Sequence, residues 1–328
     1  MFLSDKSGGV KSLFQPALKK YKSSVRALKL DNISIGGQKA LSFMHRENID
    51  ELSGLSSGFK PAIAVGVVSN IPDNFPDLLK KSWGESLNSS VAWAKKAVET
   101  GADALLIRFN IANCEDTDSE IAASIEKFEQ IQDAVDVPLM VLGSGKDEID
   151  NIMLPEMARK ATRQIAVGEI TEDNYKAIVP SLIEFNHCLT AKTPIDINLA
   201  KQLNILITEM GFDPDRIIID PDVGALGYGL DYAYSVIERI RIAALEGDSM
   251  LNMPIITLVG EEAWKSKEAK SANVQPEFGD HYKRAIIWEC MTASSILAAG
   301  ADIVVLHHPE SINYVRKFIN KSFKNTGK

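Results

Sequence analysis

Ile217–Lys267 reads IIIDPDVGALGYGLDYAYSVIERIRIAALEGDSMLNMPIITLVGEEAWKSK. An apolar strand ends in Asp220-Pro221, a Gly-rich turn follows, and a stretch of helical periodicity leads to a second apolar strand with the same polar ending. Strand, polar loop and helix in that order make one β/α unit, and here two stand in succession. Pro221 pushes Asp220 toward extended backbone, so the aspartate continues the strand and its carboxylate is expected to emerge at the tip. Gly224, Gly227 and Gly229 are expected to allow positive φ and the close approach of a flat ligand. Tyr228 offers a ring to pack over that ligand and a hydroxyl to donate. A rigid turn that only starts the next helix fits the same residues.

The pattern repeats outward from this segment. Apolar stretches are expected as strands at 62–68, 104–109, 138–142, 164–167, 189–191, 216–220, 254–259 and 302–307. Between them lie helical stretches such as SVAWAKKAVETGA and AIIWECMTASSILAAGA, with Gly101, Gly211, Gly247 and Gly300 marking helix ends. Strands such as VGVV and DIVVL are apolar without alternation, as strands buried on both faces must be. Eight such units predict an α/β fold of (β/α)8 TIM-barrel type over 60–328. Ahead of it, residues 1–59 hold a basic arm and two short strands at 25–30 and 32–37. A doubly wound open sheet competes, but GVVSNI at 66–71 is no phosphate fingerprint.

Composition narrows the function classes. The 328 residues are 45% hydrophobic and 24% charged, as in an ordinary globular protein. The net charge of −8 disfavours a nucleic-acid partner. Residues 1–30 hold seven Lys or Arg and one Asp, a local +6 that suits either a docking arm or a solvated tail. Nothing is apolar for long enough to span a membrane, and MFLSDKSGGVKSL lacks a signal-peptide core, so a cytoplasmic protein is expected. Cys114, Cys188 and Cys290 are dispersed, too few for an iron–sulfur cluster and without a disulfide pattern.

A barrel gathers the polar residues at its strand ends on one face. That rule assembles Arg108, Asn110, Ser144, Lys146, Glu169, Thr193, Asp220, Asp222, Glu261, Glu262, His307 and His308. Asp196 and Asn198 open a helix, where one of them caps the amides or hydrogen-bonds a heterocycle. Gly260 leads into Glu261-Glu262, acids suited to a helix N-terminus. His307 and His308 point to opposite faces of a strand and cannot chelate together. No lysine at an apolar strand end and no Cys-His pair is apparent, so an enzyme and a binding subunit fit the residues equally.

TPIDINLAKQLNILITEMG and DRIIIDPDVGALGYGLDYAYSVIERIRIAALEG, with ISIGGQKALSFMHRE before the barrel, resemble the small (delta) subunit of the corrinoid/iron–sulfur protein. That protein works with carbon monoxide dehydrogenase/acetyl-CoA synthase. The resemblance implies a heterodimer in which a large (gamma) subunit carries the [4Fe–4S] cluster and the corrinoid-binding domain. The corrinoid would lie between that domain and this barrel's mouth. Its cobalt would take a methyl group from methyltetrahydrofolate, or an archaeal methyl-tetrahydropterin, through a methyltransferase and pass it to acetyl-CoA synthase. The chain lacks the DxHxxG pattern that supplies a lower cobalt ligand elsewhere, which implies a shared corrinoid, no metal ligand and no catalytic residue of its own. The expected cofactor contacts are Asp196, Asn198, Asp220, Gly224, Gly227, Tyr228, Gly229, Gly260 and Glu261. The family's barrel also resembles that of the folate methyltransferase, so a pterin-dependent corrinoid methyltransferase is the alternative.

Overall fold

The computed structural model describes residues 21–44, 58–111 and 116–323, together with the backbone of two short paired strands at Leu3–Ser4 and Val10–Lys11. Most of the basic arm and Cys114 lie outside the described residues.

Eight parallel strands form one sheet: β1 (Ala62–Val68), β2 (Ala104–Arg108), β3 (Leu139–Leu142), β4 (Ala166–Ile170), β5 (Cys188–Lys192), β6 (Ile217–Asp220), β7 (Ile256–Thr257) and β8 (Ile303–Leu306). Their order runs β6-β5-β4-β3-β2-β1-β8-β7, and a parallel bridge from Ile219 to Ile255 joins the two ends. The sheet is therefore a (β/α)8 barrel. The principal helices around it are α1 (Ser90–Glu99), α2 (Thr117–Ala134), α3 (Asp147–Lys160), α4 (Tyr175–Glu184), α5 (Ile197–Glu209), α6 (Leu230–Glu246), α7 (His281–Ala299) and α8 (Pro309–Ser322). Among the described residues no helix is long and apolar enough to cross a membrane.

Strand alternation divides the core in two. Ile63, Val65, Leu105, Ile107, Val141 and Ile219 face outward into the helix layer. Ala64, Leu106, Met140, Ala166, Ile218 and Val305 fill the barrel interior. Both sets are buried, which is why the strands read as continuous apolar runs.

The segment before the barrel is an antiparallel hairpin, Ala27–Leu30 with Ile33–Gly36. Asp31 sits at its turn with φ 51°, a conformation aspartate tolerates better than most residues. Leu28, Leu30 and Ile35 join the interior core beneath the N-terminal ends of the strands. A buried ion pair anchors that end. Arg241 of α6 bonds Asp302 and donates to the carbonyls of Gly300 (2.8 Å) and Met253 (3.1 Å). Asp302 also accepts from the Ile255 amide (2.7 Å) and from Gln38 Nε2 (2.6 Å), tying the chain ahead of β1 to the barrel.

Candidate functional site

The same interior alternation that buries Ile218 and Cys188 carries polar residues up to the C-terminal mouth. Arg108, Lys192 and Asp220 end β2, β5 and β6, Glu169 lies in β4, and Glu261 and His307 follow β7 and β8. Arg108 is the hub. Its Nη1 and Nη2 donate to Glu169 (3.1 and 3.3 Å), while Nε and Nη2 donate to Glu261 (2.9 and 3.1 Å). Lys192 extends the chain of charges by bonding Glu169. The planar guanidinium supplies enough donors to serve two carboxylates at once.

Burial works to raise Glu169, but Arg108 and Lys192 outweigh it and hold the carboxyl at about 2. For Lys192, burial pulls the ammonium down while Asp220 and Glu169 push it up, and the net direction is up. Asp220 is 2% exposed, and burial lifts its carboxyl to about 7 against the pull of Lys192. Its carboxylate accepts a hydrogen bond from the Asp222 amide at 3.1 Å.

The expectations for this loop divide. Asp220 does not emerge at a tip; it faces inward in register with Lys192. Gly224 lacks positive φ, and its bare Cα serves the loop itself, since a Cβ there would meet Gly229 C at 2.5 Å. Gly227 (φ 77°) and Gly229 (φ 90°) do take the left-handed conformation. The Tyr228 ring is half exposed, but its hydroxyl donates to Glu268 at 3.0 Å.

Asp196 caps α5, accepting from the amides of Asn198 (2.6 Å) and Leu199 (3.1 Å), and the Asn198 side chain is exposed. Asn110 and Ser144 serve their own loops, Asn110 through Ser69 and Asn70, Ser144 through Asp150. Glu262 pairs with Lys265 one turn along.

The two histidines differ as the strand period demands. His308 caps α8: its Nδ1 accepts from the Glu310 amide at 3.1 Å, so the proton sits on Nε2, 2.7 Å from Ser82 Oγ. Ser82 in turn donates to the Leu78 carbonyl. Burial lowers His308 to about 4, keeping it neutral. His307 faces the mouth and lines a cavity of about 230 Å3 with Arg108, Gly260, Glu261 and Trp264. Among the described residues no group of His, Cys, Asp and Glu could hold a metal ion.

Lys192 overturns the expectation that no lysine ends an apolar strand. β5 is CLTAK, one residue longer at each end than the apolar core that marks it, and the alternation of Cys188, Thr190 and Lys192 puts the ammonium inside. That period-two placement was the available signal.

The family model described as CO dehydrogenase/acetyl-CoA synthase delta subunit matches residues 31–315. The acetyl-CoA decarbonylase/synthase complex subunit delta of Methanopyrus kandleri is 30% identical over 259 residues, covering 78% of this chain and 64% of that protein. Its counterpart from Methanocaldococcus jannaschii is 27% identical over 323 residues, covering 93% of this chain and 75% of its own. The chain thus spans about two thirds to three quarters of these relatives. Among solved structures, Xanthomonas albilineans dihydropteroate synthase with 4-aminobenzoic acid aligns with a TM-score of 0.55 at 12% identity, over 79% of this chain and 92% of that one. The Coxiella burnetii dihydropteroate synthase in complex with pteroic acid gives 0.54 at 15%, over 82% and 96%. At such identities the likeness is one of fold. The match across most of the sequence places this chain in the CO dehydrogenase/acetyl-CoA synthase delta subunit family.

Proposed function

We propose that this chain is the small subunit of a corrinoid/iron–sulfur methyl carrier, and that its barrel mouth covers a corrinoid held by the large subunit. The observation that carries the reading is the self-paired chain of charges at the mouth. Arg108 is shared by Glu169 and Glu261, and Lys192 by Glu169, so these groups brace one another instead of standing free for proton transfer.

A corrinoid presents a broad apolar macrocycle rimmed by carboxamides, which take hydrogen bonds and no net charge. The mouth fits such a group, because most of its charges are cancelled in place and Tyr228 offers an exposed ring beside it. The corrinoid, when bound, supplies the methyl-carrying cobalt. Gly227, Tyr228, Gly229, Gly260 and Glu261 would contact it or the partner, with Asp220 set deeper and Gly224 shaping the loop. Asp196 and Asn198 act at the edge, mainly through the helix cap. Excluding water is the chain's contribution, since a reactive group is protected when its solvent is replaced by fixed protein dipoles. The partners are then the large subunit with its [4Fe–4S] cluster, a methyltetrahydrofolate or tetrahydropterin methyltransferase, and acetyl-CoA synthase.

Cobalt analysis tests this. The chain purified alone is expected to hold none, and to form a one-to-one complex with the corrinoid-loaded large subunit. Stoichiometric cobalt in the isolated chain would overturn a shared site.

One observation favours a pterin-dependent methyltransferase instead: Asp220, lifted to about 7, can hold or release a proton at neutral pH. That reading requires the isolated chain to move a methyl group from methyltetrahydrofolate to free cob(I)alamin, and Asp220→Asn to abolish it. Absence of transfer at high protein concentration leaves the covering subunit.

A further inference from the structure

His307 is 8% exposed, and neither ring nitrogen has a hydrogen-bond partner. Burying such a group without a partner costs about 1–3 kcal/mol. The fold nevertheless fixes it in place. Its amide donates to Glu289 Oε1 at 2.6 Å, and its carbonyl accepts from Trp83 Nε1 at 2.8 Å. The ring lies between two glycines. A Cβ at Gly66 would come within 2.7 Å of Cε1, and one at Gly260 would overlap the ring.

The cavity beside the ring has apolar walls from Val68, Phe75, Leu79 and Trp264. Its charges are accounted for one by one. Arg108 is held by its two glutamates and Lys265 by Glu262, whereas Lys270 lines the cavity with no ion pair among the described residues. At about 230 Å3 the space is below the roughly 300–1,000 Å3 typical of drug-sized ligands.

We propose that this cavity binds a small, singly charged organic acid, with its carboxylate at Lys270, its apolar body on the Phe75 side, and a hydroxyl or carbonyl on the His307 ring. A neutral imidazole presents one donor and one acceptor, which suits an uncharged oxygen group. Burial and Arg108 hold His307 below its ordinary value against the pull of Glu261, which keeps the ring neutral. A single free ammonium matches one negative charge, and a phosphate dianion would leave a second facing Glu261. The cavity is lined by this chain alone, and Gly260 and Glu261 border both it and the proposed corrinoid contact, so the test uses the chain without corrinoid.

The test uses the full chain, 15N-labelled on histidine, titrated with 4-hydroxybenzoate, benzoate, phenol and phenyl phosphate. The His307 ring nitrogens are expected to shift saturably with 4-hydroxybenzoate and little with benzoate. Phenol should bind about tenfold more weakly, and Lys270→Gln should weaken 4-hydroxybenzoate by a similar factor, as loss of one charged hydrogen bond implies. Lys270 is exposed, so this variant keeps the fold. The proposal is overturned if no probe moves the ring nitrogens, if Lys270→Gln binds unchanged, or if phenyl phosphate is preferred.

Discussion

Lys192 and Asp220 occupy paired positions on adjacent parallel strands, yet the lysine gives its hydrogen bond to Glu169. Asp220 is left buried beside a cation that does not bond it, and burial sets its proton affinity. The folded chain therefore keeps Asp220 protonated up to about pH 7, whereas an unfolded aspartate ionises near 3.9. Its contribution to stability is fully present below the unfolded value and is lost as pH rises through about 7. Over some three pH units at about 1.4 kcal/mol each, the loss is at most about 4 kcal/mol. Asp220→Asn should remove that slope, so urea denaturation at pH 5 and pH 8 should show the variant gaining on the wild type at the higher pH. An unchanged difference between the two would assign the titration elsewhere.

Arg108→Met leaves Glu169 and Glu261 partly buried without their shared cation. A cost of about 3 kcal/mol at pH 7 is expected. Glu169 is depressed to about 2, so its contribution is present above the unfolded value of about 4.3 and fades as pH falls through 2. In the variant the carboxylates can take up protons, and the penalty should shrink when denaturation is repeated below about pH 4.

At the opposite end, Arg241→Met strands Asp302, and about 3–5 kcal/mol should be lost. The double variant Arg241→Met with Asp302→Asn should recover part of that loss, because no buried charge remains. Full additivity in a denaturant-based double-mutant cycle would show that the pair is not coupled.

Asp196→Ala should cost about 1 kcal/mol by exposing the first amides of α5, and Asp196→Ser should restore most of it. Asn198→Ala, at an exposed side chain, should fall within about 0.5 kcal/mol of the wild type. Thermal melts check both. If Asp196→Ala keeps full stability, the carboxylate is serving something other than the cap.

Much of the barrel is legible in the sequence, because strands buried on both sides leave long apolar runs and glycines close the helices. The errors cluster where one residue meets two demands. The strand expected at 164–167 runs on to Ile170. An irregularity in its register between Val167 and Ile170 breaks the alternation that would turn Glu169 outward with Val167, which lets it reach Arg108 at the mouth. The run at 254–259 looks like a full strand, yet only Ile256 and Thr257 are one, since a short helix begins at Val259. At the site, strand ends identify Arg108, Glu169, Asp220 and Glu261, but which charges pair depends on distances across the barrel that no local pattern carries. Lys192 is missed for a smaller reason, the polar rim of a short strand.

The hairpin under the barrel has a consequence for traffic. With Leu28, Leu30 and Ile35 packed into the floor, the described residues close the barrel below and leave its C-terminal mouth open. Among the described residues, the way to Arg108, Asp220 and His307 lies over the C-terminal rim, for arrival and departure alike. A partner resting on that rim would therefore control arrival and departure together, with no moving lid needed in this chain.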